Sequence, residues 1–72
     1  MNTEIRLVFT EERVRDLDRL MADMGISERK ILFNIALSLL DWANEQKKRG
    51  RVIASVDKAN QSYEELVLPG LK

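Results

Sequence analysis

Histidine and cysteine are both absent from these 72 residues. That removes the side chain most often used as a general base, the commonest metal ligand, the thiolate nucleophile and any disulfide. Catalysis would fall to carboxylates, Lys, Ser or Tyr converging in a pocket, and no stretch of the chain gathers them. No enzyme is expected, and no metal or other cofactor. The residues that keep some chemistry lie in four short stretches. In the first, Glu4, Arg6 and Val8 alternate with Ile5, Leu7 and Phe9, so the two sets would face opposite sides of an extended chain. In the second, Ser27-Glu28-Arg29-Lys30 sets two cations where a helix should begin. Cations are poor complements to that end of the helix dipole, so their presence favours an external anion. In the third, Lys47, Lys48, Arg49 and Arg51 surround Gly50, which reads first as a dipole complement and a glycine stop. In the fourth, Tyr63, Leu66, Val67 and Leu68 are too apolar for a solvated linker.

The elements that would position these residues follow from periodicity. Residues 4–10 have the period of two of a half-buried strand, and Thr10 suits a helix N-cap with Glu11 and Glu12 behind it. Over residues 11–24, Val14, Leu17, Leu20, Met21 and Met24 recur every three or four positions, which predicts an amphipathic helix. Met21 and Met24 read as packing. Gly25 falls where a left-handed C′ residue would end the helix, and Ile26 can pack back on its last turn. Ser27 is then the expected N-cap of a second helix from residue 28 to about 48, with Glu28 in its first turn. That helix is apolar around most of its circumference. Only Asn34, Ser38, Asp41 and Glu45 make a polar stripe, and Trp42 reads as core or dimer contact.

A lone strand leaves its backbone donors and acceptors unpaired, and one amphipathic helix cannot cover the second helix. Both demands are met most simply by a second copy of the chain. Beyond residue 50, Val52, Ile53 and Val56 fit a short strand or an extended arm, Asp57–Gln61 a turn, and Pro69-Gly70 a stop. This tail is expected to dock, to pair as a hairpin, or to wait for a partner.

Composition sets the outer bounds. Seventy-two residues allow one small domain, marginal without oligomerisation. Twelve basic and twelve acidic residues give no net charge, which argues against sequence-blind electrostatic binding to nucleic acid. No apolar run reaches the length of a membrane span, and Met1-Asn2-Thr3-Glu4 has no signal-peptide pattern. A cytoplasmic protein with no membrane partner is expected.

The strand, the helix of about fourteen residues, the glycine turn and the longer apolar helix resemble the ribbon-helix-helix family of small bacterial, phage and plasmid DNA-binding repressors. The resemblance rests on Ile5, Leu7 and Phe9, on Thr10, Leu17 and Leu20, on Met24-Gly25-Ile26-Ser27, and on Ile31, Ile35 and Leu39. It covers residues 3–46. It implies a mainly α fold with one short strand, an intertwined homodimer whose strands pair into an intermolecular antiparallel ribbon. It implies a dimerisation and DNA-binding domain over residues 1–50 and a docked or partner-binding tail over 51–72. The ribbon would enter the major groove of double-stranded DNA with Arg6, Glu4 and Val8 toward the bases. There Arg6 suits guanine O6 and N7, Val8 a thymine methyl, and Glu4 either cytosine N4 or Arg6 itself. Ser27, Arg29 and Lys30 would hold a phosphate at the start of the second helix. The chain departs from the family in offering one Arg, one Glu and one Val where polar or basic residues are usual. The alternative function is an antitoxin or small adaptor, whose tail residues Tyr63, Leu66 and Leu68 would bind a partner protein.

Overall fold

A computed structural model describes residues 1–71. In chain order these form α1 (Glu11–Met24), α2 (Arg29–Lys48), β1 (Ala54–Asp57) and β2 (Ser62–Glu65). The fold is mainly helical, with one two-stranded antiparallel sheet. The chain divides into two compact units, Met1–Phe33 and the part from Asn34 onward, with the division inside α2.

In the first unit α1 begins at Thr10, whose hydroxyl accepts from the Arg13 backbone N–H at 3.2 Å. Glu11 and Glu12 stand in the first turn, where they oppose the positive end of the dipole. The helix ends at Gly25, with φ 67°, a conformation that costs an L-residue about 1–2 kcal/mol. Gly25 N–H donates to Ala22 O and Ile26 N–H donates to Met21 O. This pair of bonds is a Schellman stop, and Ile26 is half-buried behind it.

The start of α2 differs from the expectation by one residue. Ile31 and Leu32 N–H both donate to the Glu28 carbonyl, so Glu28 occupies the cap position. Ser27 lies one residue outside, and the first turn of α2 carries no acid. The polar pair Ser27-Glu28 offers two adjacent stops, and the backbone takes the second.

The expected strand over residues 4–10 is not present within the chain. Residues 1–10 carry no strand pairing, and the two strands lie in the tail instead. The physical reason is simple: a strand is defined by its partner, and no other described segment pairs with residues 4–9. Their apolar set is progressively covered towards α1, Ile5 at 80% exposure, Leu7 at 59% and Phe9 at 43%, whereas Val8 stands at 97%. Phe9 stacks on Phe33 with ring centroids 6.1 Å apart. These two rings, with Leu17 and Leu20, line an open groove of about 310 Å³ rimmed by Arg13, Asp16 and Arg19.

In the second unit α2 ends as α1 does. Gly50 N–H donates to Lys47 O and Arg51 N–H to Gln46 O, a second Schellman stop. Of the nearby cations, Lys47 pairs with Glu65, Lys48 with Glu45, and Arg51 donates to the Gln46 side chain. That bears out the reading of this cluster as a helix end.

The tail then forms a hairpin. Ala54 pairs with Glu65, Val56 with Tyr63 and Asp57 with Ser62, and Leu66 N–H extends the ladder to Ile53 O at 2.7 Å. The turn is held by Asp57. One carboxylate oxygen accepts from Ala59 N–H and Asn60 N–H, and the other from Asn60 Nδ2 at 2.8 Å. Gln61 closes the turn in the left-handed region, φ 52°.

The Asn60 side chain, then the Asn60 and Ala59 amides, hold the Asp57 carboxyl below its ordinary value of about 3.8. A carboxylate lowered in the folded state contributes its stability fully above its unfolded pKa and loses it as pH falls through the folded one. The Ala59 and Asn60 amide resonances are therefore expected to titrate together below pH 3.8, and to stop doing so in Asp57→Ala. A transition above that value would contradict this turn.

Candidate nucleic-acid interface

Glu4 and Arg6 meet on one side of the N-terminal segment. The Arg6 Nε–H donates to Glu4 Oε1 at 2.9 Å, and the two side chains are 85% and 73% exposed respectively. Residues two apart on an extended chain share a face, which is why this pair can form. An ion pair this exposed contributes between nothing and about 1 kcal/mol to stability, so it leaves Arg6 available. Val8 is almost fully exposed.

At the start of α2, Ser27, Arg29 and Lys30 are exposed. The Arg29 guanidinium donates to both Asp18 oxygens, at 3.1 and 3.3 Å. The sequence does not suggest this pairing, because the partners are eleven residues apart on different helices. It gives one of the two expected phosphate cations a partner on α1, in a pair more than half exposed on both sides and so as weak as that of Glu4 and Arg6. Lys30 has no ion-pair partner among the described residues. The candidate clamp consists of the free N–H groups at the start of α2 with the Lys30 ammonium, and Arg29 can join it at a cost of no more than about 1 kcal/mol.

On the surface of α1, Asp16 sits between Arg13 and Arg19, 3.5 Å from each, and Arg15 pairs with Glu11. These are solvated surface pairs and leave α1 without a free basic stripe. The tail residues named from the sequence are accessible, and of the three only Tyr63 lies within a strand. Tyr63 is exposed in β2, and Leu66 and Leu68 follow it, partly exposed.

The largest feature is what remains uncovered. Met21, Leu32 and Ala43 are the buried apolar residues among the described ones, while Ile31, Ile35, Leu39 and Trp42 of α2 are all exposed. Among the described residues no group of three or more carboxylates gathers as a metal site. No helix among the described residues is long and apolar enough to cross a membrane.

Comparison with protein-family models, with curated proteins and with solved structures finds no match to this chain.

Proposed function

We propose that the chain is a homodimeric ribbon-helix-helix repressor that reads double-stranded DNA through residues 4–8. One observation carries the proposal: an unpaired apolar-alternating segment leads directly into two helices whose apolar faces are left open. A second copy satisfies both. Its residues 4–9 supply the missing ladder for their own twins, and its α2 covers Ile31, Ile35, Leu39 and Trp42. Full burial of such a side chain contributes about 1.5–3 kcal/mol, so covering several half-exposed ones in each protomer offsets an association cost of about 4–15 kcal/mol. Pairing with Ile5, Leu7 and Phe9 turned inward leaves Glu4, Arg6 and Val8 outward on a two-stranded ribbon, a shape the major groove admits. The free N–H groups at the start of α2, with Lys30, suit a flanking phosphate.

The test is selection from a randomised duplex library, followed by anisotropy titration of the selected duplex and a scrambled one at two salt concentrations. A sequence reader enriches one motif and binds it less tightly as salt rises. A library that emerges unenriched, with no salt-dependent binding, contradicts the proposal.

A second reading, a protein-interaction adaptor, is favoured by one feature. Val56 and Tyr63 face each other across the hairpin and both are exposed. Under that reading Tyr63→Asp leaves DNA binding unchanged and loses a protein recovered with the wild type. Recovery of the same protein by the variant would sink it.

A further inference from the structure

The acid beside Arg6 looks misplaced on a surface meant for DNA, because a carboxylate in the groove faces a wall of phosphates. Its geometry resolves the conflict. We infer that Glu4 is a positioning residue that aims Arg6 at guanine, and that the preferred site therefore carries a guanine at each Arg6 position. The inference rests on the DNA-reading function proposed above.

The guanidinium has five N–H groups in a fixed plane. Glu4 accepts from Nε, at 2.9 Å, and no described residue occupies the two terminal nitrogens. Those two nitrogens form the fork that meets guanine O6 and N7 together. A contact at Nε leaves that fork free while biasing the direction in which it points. In water the pair is weak, but water leaves as the ribbon enters the groove and the same contact then strengthens. The unpartnered Glu4 Oε2 is an acceptor, and cytosine N4 is the major-groove donor that suits it. Because Glu4 cancels the Arg6 charge, the pair adds discrimination without adding sequence-blind attraction.

This last point gives a test with opposed signs. Wild type, Glu4→Ala, Glu4→Gln and Arg6→Ala are titrated against the selected duplex, the same duplex with 7-deazaguanine at the contacted guanines, and a scrambled duplex. Glu4 is exposed, so its variants should fold, which circular dichroism checks. Glu4→Ala should lose about tenfold in preference for the selected duplex per half-site, and should bind the scrambled duplex more tightly. Glu4→Gln, which keeps an acceptor but not the charge, should retain part of the preference. The wild type should lose part of its preference on the 7-deazaguanine duplex, which keeps guanine O6 but lacks the N7 acceptor. If Glu4→Ala keeps the full preference while Arg6→Ala loses it, DNA reading stands and the positioning role is overturned. If Glu4→Ala gains both affinity and preference, Glu4 restrains Arg6 and the inference is also overturned. If wild type selects no sequence, the DNA-reading function itself falls.

Discussion

Leu39→Glu is expected to abolish the dimer and most of the folded state with it. In the single chain Leu39 is 63% exposed, and a substitution on an exposed helix surface ordinarily changes stability by no more than about 0.5 kcal/mol. Leu and Glu also have similar helix propensities. A solitary folded chain would therefore tolerate the change and gain solubility from it. In the proposed dimer Leu39 lies in the row Ile31, Ile35 and Leu39 that meets the second copy. Each protomer would then bury an unpaired carboxylate, at a cost of about 3–5 kcal/mol for such a charge. Two of these are comparable with the whole margin of a domain this small. Denaturation followed by circular dichroism, with the mass measured alongside, separates the two. A Leu39→Glu chain as stable as wild type would mean that α2 meets no partner along this row.

The second large effect concerns recognition. Arg6→Ala should bind the selected duplex about 2–6 kcal/mol more weakly, since each bidentate arginine–guanine contact contributes roughly 1–3 kcal/mol of discrimination and a dimer carries two. Affinity for a scrambled duplex should fall by less, because there the variant loses no base contact and only leaves the Glu4 carboxylate unpaired. The slope of binding against salt should also hardly move, since that slope counts phosphates rather than bases. Anisotropy titration reads all three. An equal loss on both duplexes would place Arg6 on the backbone instead of a base edge.

The parts of the fold that were legible in the sequence are those decided locally. Thr10 and Gly25 mark both ends of α1 because each acts within one turn: a hydroxyl on the Arg13 amide, and a positive φ that admits the two closing bonds. Gly50 closes α2 in the same way. The beginning of α2 was less legible because Ser27 and Glu28 can each stand at a cap, and neighbouring residues do not choose between them. The Asp57 turn was readable from its residue types, whereas the pairing of Val56 with Tyr63 depends on the register that turn imposes. Residues 4–9 show the sharpest limit. Their alternation is plain in the sequence, yet a strand needs a second segment, and none among the described residues pairs with them. In the candidate site, the meeting of Glu4 with Arg6 follows from a spacing of two. The capture of Arg29 by Asp18 does not follow from any local rule, since it depends on how α1 and the start of α2 pack within the first unit.

Both large effects depend on the second copy, so the mass of the wild-type protein in solution is the most direct measurement. Light scattering at micromolar concentration is expected to give twice the 8.3 kDa of one chain, with the helical spectrum intact. A species of 8.3 kDa with that spectrum would contradict the paired ribbon and the shared α2 core together.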